Sequence, residues 1–379
     1  MLPVAIPLPV LQSVSQQESS LHLIWSDGSQ SHFHFLWLRD NCSTTLHPDT
    51  QERVFDQLSV SAEIRPIKAS IENDQLLIDW SEQGHHSEFL GSWLRTHAYS
   101  GDLKLNGQPT SKSWDGAFLN QINRVNYSDL IQDNGALYEW MKRLDQDGLS
   151  LVQGMPSTQT ALNEVTNRID YQRQTNFGVT FEVKTEPNPI NLAYTSLALP
   201  LHTDLSNQET PPGYQFLHCL ANESSGGESI FADGFRILED LREQNSGYFE
   251  LLANYAVPFR FHDDDHDIYH HHPIINLDHR GNIIELKYNA HLASTFDLPE
   301  DVMHDYYLAY RELMARVRSV KYRITLKLTE GTMAVFDNRR VLHGREAFEP
   351  MGKRHLRGCY VDRTEFQSRL RVLKKCLGE

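Results

Sequence analysis

Two histidines and one aspartate in this sequence have the residue types and the spacing of a metal site. His202 and Asp204 are two residues apart, so on an extended strand end their side chains point the same way. His343 follows an apolar, strand-like run at 332–336. Two neutral imidazoles and one carboxylate form the facial triad that binds non-haem Fe(II) and leaves positions open for a chelating co-substrate and O2. The sequence therefore predicts that His202, Asp204 and His343 bind Fe(II).

Spacing alone is weak support for this site, because the chain contains 19 histidines. The same His-x-Asp spacing recurs at 47–49 and at 262–264, where a surface or capping pair is the simpler interpretation. His343 differs because Arg354 follows it 11 residues later. A guanidinium there can bind the far end of a dicarboxylate co-substrate bidentately, a contact worth about 1.5–3 kcal/mol. We therefore predict that Arg354 binds the co-substrate.

The composition limits the classes of partner. A chain of 379 residues that is 40% hydrophobic and 22% charged suits one large domain plus a smaller one. Its net charge of −15, without a lysine or arginine tract, argues against binding to nucleic acid or to an anionic membrane. The sequence leaves the oligomeric state open, with a homodimer as one alternative.

The location is predicted to be cytoplasmic. The first residues lack basic side chains and are interrupted by prolines, which is unlike a signal peptide, and no run of about 18 apolar residues exists for a membrane span. The chain has four cysteines without a paired spacing, as expected for free thiols in a reducing compartment: Cys42, Cys219, Cys359 and Cys376.

The pattern of strands and turns predicts a small β-rich domain at 1–105, a linker at 106–125 and a larger domain at 126–379. In the first domain, alternating runs at 21–25 and 31–35 flank an Asp-Gly pair, which is a hairpin signal. The predicted linker is polar and rich in Gly, Ser, Pro and Lys, residues that favour a boundary.

The larger domain is predicted to be mainly β, in the α+β sense. Helical spacing occurs at 127–146, 234–244 and 300–317, and in the first domain at 87–94. Many strands with few helices favour a double-sheet jelly roll whose mouth can bind a ligand. The predicted strands of this domain lie at 149–152, 213–219, 229–232, 283–288, 334–336 and 358–361.

Nearly the whole chain resembles the γ-butyrobetaine hydroxylase family, the 2-oxoglutarate-dependent branch of the taurine dioxygenase superfamily. Together, the matching segments are far more specific than the metal-ligand pattern alone. They lie at 37–42, 85–89, 191–194, 202–204, 211–213, 336–338, 342–345 and 354–356, with Tyr360. The resemblance implies a double-stranded β-helix (jelly-roll) catalytic domain, Fe(II), and 2-oxoglutarate with its distal carboxylate on Arg354. It also implies O2 as co-substrate and admits ascorbate as a stimulant.

The resemblance further implies a small-molecule substrate that carries a quaternary ammonium group. The positions that match the family's aromatic cage are Phe177, Phe181, Tyr194 and Tyr360. A trimethylammonium group donates no hydrogen bond, and each aromatic face attracts it by roughly 0.5–2 kcal/mol. Two of the rings are phenylalanine where relatives carry tyrosine and tryptophan. Without the resemblance, the first two phenylalanines fit a packed core equally well.

The family's substrate carboxylate subsite matches Asn191 and Asn289. Asparagines are otherwise most often turn residues. Amide donors suit a compact carboxylate, whereas a trimethyllysine hydroxylase would need an acidic residue in place of Asn191. A phosphonate would want an added cation, yet Ala290 follows Asn289. The resulting hypothesis is hydroxylation of γ-butyrobetaine at C3 to L-carnitine, with succinate and CO2 as co-products.

Other functions stay open at this point. Hydroxylation of trimethyllysine or of 2-trimethylaminoethylphosphonate retains the same chemistry with another substrate. A non-catalytic betaine-binding jelly roll would need neither the triad nor Arg354. A zinc hydrolase would need a general base beside the metal, and the sequence offers no clear candidate.

A structural zinc ion is not expected in the amino-terminal domain. The resemblance implies a cysteine cluster just after the 37–41 segment, but only Cys42 is present there. Structural zinc normally has four ligands, and Cys42 with His47 and His85 supplies three. The histidine tract formed by His266 and 270–272 is interleaved with aspartates, so we interpret it as a solvated loop or strand edge.

Overall fold

The computed structural model describes residues 9–82, 84–99, 111–184, 195–349 and 352–378. The chain divides into two units, Met1–Asn106 and Gly107–Glu379. Asn191 and Tyr194, two of the predicted site residues, lie outside the described residues.

The smaller unit contains two three-stranded antiparallel sheets. Its first sheet contains β1 (Leu11–Gln16), β2 (Ser20–Trp25) and β3 (Gln30–His34). Its second sheet contains β4 (Pro66–Glu72), β5 (Gln75–Trp80) and β6 (His86–Leu90). Where the structure describes it, this unit also has two α-helices and two short 3-10 helices: α1 (Phe35–Asp40), α2 (Gly91–His97), Ser43–Thr45 and Gln57–Ser59.

Buried tryptophans join the two sheets of the smaller unit. Trp25 and Trp80 are almost completely buried in one apolar cluster to which both sheets contribute. Each indole N–H donates to a serine on the neighbouring strand, Ser31 at 2.9 Å and Ser87 at 2.8 Å. The predicted hairpin is confirmed, because β2 and β3 pair around a turn in which Gly28 has φ +77°.

The helix predicted at 87–94 is wrong over its first half. Strand β6 continues to Leu90, which pairs with Gln75, and a helix begins only at Gly91. Ser87 and Phe89 are buried while their neighbours are exposed, which is the alternation of a half-buried strand. Pairing with β5 therefore outweighs the local helical spacing.

The larger unit contains fourteen strands in its described part. The strands are β7 (Asn123–Asn126), β8 (Leu149–Gln153), β9 (Thr180–Val183), β10 (Leu199–His202), β11 (Tyr214–Asn222), β12 (Ser229–Asp233), β13 (Ala256–His262), β14 (Asp267–Pro273), β15 (Ile275–Leu277), β16 (Ile283–Leu286), β17 (Arg323–Leu326), β18 (Met333–Asp337), β19 (Val341–Arg345) and β20 (Arg354–Val361). They form a six-stranded sheet in the order β7-β8-β18-β11-β20-β9 and a four-stranded sheet in the order β10-β19-β12-β17. Adjacent strands in these two sheets are antiparallel, except that β7 and β8 are parallel. The hairpins β13-β14 and β15-β16 form separate two-stranded sheets.

The described part of the larger unit has these helices: α3 (Tyr127–Gln132), α4 (Asn134–Asp147), α5 (Ala161–Thr166), α6 (Gly234–Gln244), α7 (Ser246–Asn254), α8 (Glu300–Val317) and α9 (Arg363–Leu377), with a 3-10 helix at Gly116–Gln121. The helices predicted at 234–244 and 300–317 are confirmed. The one predicted at 127–146 is two helices, because Asp133 is extended and caps the second. Among the described helices, none is both long and apolar enough to cross a membrane.

The two large sheets face each other across an apolar layer. Phe231 of the four-stranded sheet contacts Phe336 of the six-stranded sheet, with ring centroids 5.3 Å apart. Helices α4, α5 and α9 cover the outer face of the larger sheet, and α6, α7 and α8 cover that of the smaller one. This is the predicted double-stranded β-helix with helices on its outside, so the predicted fold class is confirmed.

The described part of the predicted linker, from 111 to 125, differs from that prediction. Trp114, Phe118 and Ile122 are buried in the layer between the sheets. The indole N–H of Trp114 also donates to the Asp147 carbonyl at 2.7 Å. These residues therefore belong to the core of the larger unit. The polar composition of the segment predicted a linker because three apolar side chains were too few to change its average character.

The start of α4 gives a testable stability prediction. The Asp133 carboxylate accepts hydrogen bonds from the backbone N–H groups of Gly135 at 2.6 Å and Ala136 at 3.2 Å. Asp133→Ala leaves both donors without this partner, so we expect the free energy of unfolding in urea to fall by about 1 kcal/mol. Glu139→Ala, on the exposed face of the same helix, is the control. An equal loss in both variants would contradict a capping role.

Candidate functional site

Strands β10 and β19 bring the two predicted histidines side by side. The strands are antiparallel, and His202 is directly opposite His343 in their register. The two imidazole centroids are 4.4 Å apart. Asp204 lies two residues beyond His202, just after β10 ends, and its carboxylate turns back towards both rings.

The three side chains form a group that fits a metal ion. Asp204 Oδ1 is 3.1 Å from His202 Nε2, and Asp204 Oδ2 is 3.6 Å from His343 Nε2. One ligand atom from each residue lies within 4.8 Å of the others. Ligand atoms bonded to one ion at about 2.1 Å lie about 3 Å apart when they are at right angles. The donor set, two imidazoles and one carboxylate, therefore fits Fe(II) both in geometry and in chemistry.

Neighbouring groups orient two of these side chains. His202 Nδ1 donates to the Pro200 carbonyl at 2.8 Å, which leaves Nε2 as the lone-pair donor. The side chain of Asn338 accepts from the Asp204 N–H at 2.7 Å and donates to the Asp204 carbonyl at 3.1 Å. Leu205 follows with φ +57°, an uncommon value for leucine. The turn that carries the carboxylate is thus held on both sides.

Burial and charge give the group the protonation states that metal binding needs. Burial, together with the neighbouring His202, lowers the pKa of His343 to about 3, although the Asp204 carboxylate acts in the opposite direction. For Asp204, burial raises the pKa, but the neighbouring imidazoles of His343 and His202 and the hydrogen bond from the Tyr360 hydroxyl outweigh it and hold the pKa well below its usual range. At neutral pH the His343 imidazole is therefore neutral and the carboxylate ionised.

A cavity of about 290 Å³ extends from this group between the two sheets. Eight of the ten predicted site residues line it: Phe177, Phe181, His202, Asp204, Asn289, His343, Arg354 and Tyr360. The remaining two, Asn191 and Tyr194, are outside the described residues. The structure thus brings the described predicted residues to one cavity.

Arg354 marks one end of the cavity. It begins β20, and Tyr360 is six residues further along the same strand, or roughly 20 Å. The Arg354 side chain is buried, and its guanidinium lies 5.2 Å from the centroid of the Phe348 ring. Burial lowers the pKa of this guanidinium. Among the described residues no carboxylate forms an ion pair with Arg354, which suits a cation that binds an acidic ligand.

Aromatic rings occupy the other end. Phe181 and Tyr360 have ring centroids 5.2 Å apart, and Phe177 meets Phe261 edge to face at 5.4 Å. Gly358 lies opposite Phe181 on the paired strand, and a Cβ there would come within 2.4 Å of the Phe181 ring. The glycine therefore leaves the space that this ring occupies.

Tyr360 touches the metal group as well as the rings. Its hydroxyl donates to Asp204 Oδ2 at 2.8 Å. One side chain therefore joins the aromatic end to the carboxylate of the candidate metal centre.

The amide of Asn289 is held by the backbone around it. Its Nδ2 donates to the Thr203 carbonyl at 3.2 Å. Its Oδ1 accepts from the N–H groups of His291 at 3.0 Å and Leu292 at 3.2 Å. An amide nitrogen has two hydrogens, so one remains for a ligand in the cavity.

Among the cavity residues that the sequence analysis did not identify are Asn207, Gln215, Phe261 and Arg345. Arg345 could have been found from strand periodicity, because it lies two residues after His343 on β19. Its guanidinium donates to the carbonyls of Thr195 and Leu197, both at 2.7 Å. The others carry no local signal in the sequence.

The residues considered for zinc in the smaller unit have other partners. Cys42 is buried with its Sγ 3.2 Å from the Thr44 hydroxyl. His47 Nδ1 accepts from the backbone, and His85 Nε2 lies 3.3 Å from the Ser87 hydroxyl. Within the described ranges, a group of three or more metal-ligand residues is found only at the triad.

The predicted histidine tract is a strand edge. The stretch at 270–272 lies in β14, which pairs with β13, and His266 binds Asp263 in the hairpin turn. The buried His272 donates from Nε2 to the Gln208 carbonyl at 2.8 Å.

Comparison with known proteins identifies the family. The family model described as taurine catabolism dioxygenase TauD, TfdA family matches residues 108–360. The chain belongs to this family. A second model, described as gamma-butyrobetaine hydroxylase-like, N-terminal, matches residues 12–95.

Three relatives align with this chain over nearly its full length. The protein is 38% identical to gamma-butyrobetaine dioxygenase of Pseudomonas sp. (strain AK-1), with 96% of each chain covered. It is 28% identical to gamma-butyrobetaine dioxygenase of Homo sapiens, with 94% of each chain covered. It is also 29% identical to mitochondrial trimethyllysine dioxygenase of Mus musculus, over 94% of this chain and 86% of that one. The protein is thus an Fe(II)- and 2-oxoglutarate-dependent dioxygenase, as the sequence predicts.

Proposed function

We propose that this dioxygenase hydroxylates γ-butyrobetaine at C3 to give L-carnitine. The observation that carries the proposal is the single cavity that joins a His-Asp-His group, a buried arginine and a set of aromatic rings. These three features match in turn a metal, a dicarboxylate and a quaternary ammonium group. Relatives named gamma-butyrobetaine dioxygenase, at 38% and 28% identity over almost the whole chain, support this choice of substrate.

His202, Asp204 and His343 would hold Fe(II), and Arg354 would pair with the distal carboxylate of 2-oxoglutarate. When bound, Fe(II) with 2-oxoglutarate and O2 supplies the oxidising power that hydroxylates a C–H bond and releases succinate and CO2. The neutral imidazole of His343 and the ionised Asp204 supply the lone pairs for this site. Tyr360 keeps the carboxylate in place through its hydroxyl, which donates at 2.8 Å.

Phe177, Phe181 and Tyr360 would receive the trimethylammonium group. Such a cation has no N–H to donate, so the faces of aromatic rings in a dry cavity are its best partners. Asn289 would donate its remaining amide hydrogen to the substrate carboxylate. Tyr194 and Asn191, assigned to the same two tasks by the family resemblance, stay predictions. Fixing both ends of a short substrate selects the carbon that faces the metal, since a displacement of about 1 Å can cost roughly 100-fold in rate.

A panel of substrates tests the proposal. We expect γ-butyrobetaine to have the highest kcat/KM in substrate-dependent succinate formation, measured with Fe(II), 2-oxoglutarate and O2. The protonated dimethylamino analogue retains the charge but has an N–H that no ring satisfies. Its kcat/KM should therefore be at least about 10-fold lower than that of γ-butyrobetaine.

Trimethyllysine and 2-trimethylaminoethylphosphonate complete the panel. If either compound turned over faster than γ-butyrobetaine, the protein would still be a dioxygenase, but the assignment of γ-butyrobetaine as its substrate would be wrong. Relatives named trimethyllysine dioxygenase, at 29% identity, make trimethyllysine the most informative competitor.

Two properties beyond the reaction stay predictions from the sequence: a cytoplasmic location and the homodimer alternative. Cell fractionation measures the first, and light scattering on the purified protein measures the second.

A further inference from the structure

Asn207 has a buried amide without a hydrogen-bond partner among the described residues. The residue has no exposed surface and lines the cavity. Neither its Oδ1 nor its Nδ2 has a hydrogen-bond partner among the residues that the structure describes. Buried polar atoms in folded proteins are almost always hydrogen bonded. An amide that is unsatisfied at a cavity wall therefore indicates a group that enters with the ligand.

The segment around Asn207 is held in place on both sides. Before it, the Ser206 hydroxyl lies 3.1 Å from the Thr203 hydroxyl. After it, the Gln208 side chain accepts from Arg173 at 2.9 Å, and the Gln208 carbonyl accepts from His272 at 2.8 Å. The amide is thus pre-organised, which lowers the entropic cost of binding a ligand.

These contacts place Asn207 in the substrate part of the cavity. Arg173, which binds Gln208, precedes Phe177 by four residues. His272, which binds the Gln208 carbonyl, lies on β14, the partner of the strand that carries Phe261. Both ring-bearing segments therefore contact the residue next to Asn207. Arg354 is instead at the far end of β20, opposite Asn222.

The second amide of the cavity lies in the same region. Asn289 donates to the carbonyl of Thr203, four residues before Asn207 on the same turn. Two amides thus line the same cavity as the rings of Phe181 and Tyr360, which lie on the paired strands β9 and β20 of the six-stranded sheet. A zwitterion a few carbons long can reach the rings with its cation and the amides with its anion.

We propose that Asn207 determines specificity by donating a hydrogen bond from Nδ2 to the carboxylate of the substrate. This inference rests on the proposed function, because it takes γ-butyrobetaine as the ligand. A neutral donor is the suitable choice at this place. An arginine or lysine would bind the carboxylate but would also repel the quaternary ammonium group a few ångströms away.

Anaerobic titration calorimetry tests the role of Asn207. The protein, loaded with Fe(II) and 2-oxoglutarate, is titrated with γ-butyrobetaine and with its methyl ester, which retains the cation and lacks the negative charge. Asn207→Asp places a like charge beside the carboxylate, and we expect the Kd for γ-butyrobetaine to rise by about 10-fold or more. The Kd for the ester should change by less than about 3-fold, and so should the KM for 2-oxoglutarate, measured separately by succinate formation in air.

Two further variants make the test decisive. Asn207→Ala removes the donor without adding charge, so it should weaken the binding of γ-butyrobetaine more than the binding of the ester. This variant replaces the aspartate variant in the test if the latter does not fold. Asn254→Ala, on the exposed end of α7, is the matched control and should leave both values unchanged. Thermal melting establishes that each variant is folded.

The possible results separate the two proposals. Equal weakening of γ-butyrobetaine and the ester would make Asn207 a packing residue and overturn the inference. Unchanged affinity in both Asn207 variants, with a parent protein that turns over γ-butyrobetaine, would overturn it and leave the proposed function intact. A parent protein that neither binds nor hydroxylates γ-butyrobetaine would overturn both.

Discussion

We expect His343→Ala to reduce substrate-dependent succinate formation by more than about 100-fold, because losing a residue that merely orients a metal ligand already costs roughly 10–100-fold. The variant removes one of three donor atoms that lie within 4.8 Å of one another. The remaining imidazole and carboxylate cannot define one face of an octahedral ion. Two measurements check this result: succinate release in air, and Fe(II) binding under anaerobic conditions.

His262→Ala is the matched control for this change. His262 also belongs to a His-x-Asp sequence, but it is exposed at the end of β13, outside the cavity lining. This variant should retain activity within about 2-fold of the parent protein, as surface substitutions usually do. Succinate formation near the parent level in His343→Ala would show that the metal ligands are assigned wrongly.

The convergence of the triad could be predicted from the sequence because it follows from strand geometry. His202 and Asp204 lie at the end of one strand with a spacing of two. His343 is followed at the right distance by an arginine that opens the next strand, β20. These are local patterns, although neither β10 nor β19 is among the strands predicted from the sequence. The cross-strand pairing of His202 with His343 then needs only that β10 and β19 be neighbours.

Asn207 and Phe261 could not be predicted, because nothing in their own segments points to the cavity. Phe261 enters it because the β13-β14 hairpin brings its ring against Phe177. Asn207 enters it because Gln208 beside it binds two other segments of the chain. Such placements depend on tertiary contacts between residues far apart in sequence. The same limitation explains the error at 87–94, where pairing with β5 decides the structure.

A side chain can also have more contacts than its family role suggests. The resemblance assigns Tyr360 to the aromatic cage, and its ring does lie 5.2 Å from that of Phe181. Its hydroxyl, however, also binds Asp204. Phe177 and Phe181 have no hydroxyl and cannot donate such a hydrogen bond. Of the three cage rings that the structure describes, Tyr360 is therefore the one that connects the cage to the metal group through a hydrogen bond.

Replacing Arg354 by alanine should raise the KM for 2-oxoglutarate by about 10- to 100-fold and the KM for γ-butyrobetaine by much less, because the loss of a charge-assisted pair in a buried site costs roughly 1.5–3 kcal/mol. The guanidinium is buried at the end of the cavity and has no carboxylate partner among the described residues. Its removal would leave one end of a dicarboxylate without its partner. Separate titrations of the two substrates, with succinate as the readout, measure the split.

The matched variants separate charge from geometry at this position. Arg354→Lys retains the positive charge but loses the planar fork that pairs bidentately with a carboxylate, so its KM for 2-oxoglutarate should lie between those of the parent and the alanine variant. Arg371→Ala, on the exposed face of α9, controls for loss of an arginine elsewhere. Arg357 is a poorer control because its guanidinium binds Glu182 and Thr180 on the neighbouring strand β9. If Arg354→Ala raised both KM values equally, the residue would support packing of the cavity. The 2-oxoglutarate carboxylate would then have to be bound by another cation, for which Arg345, which also lines the cavity, is a candidate.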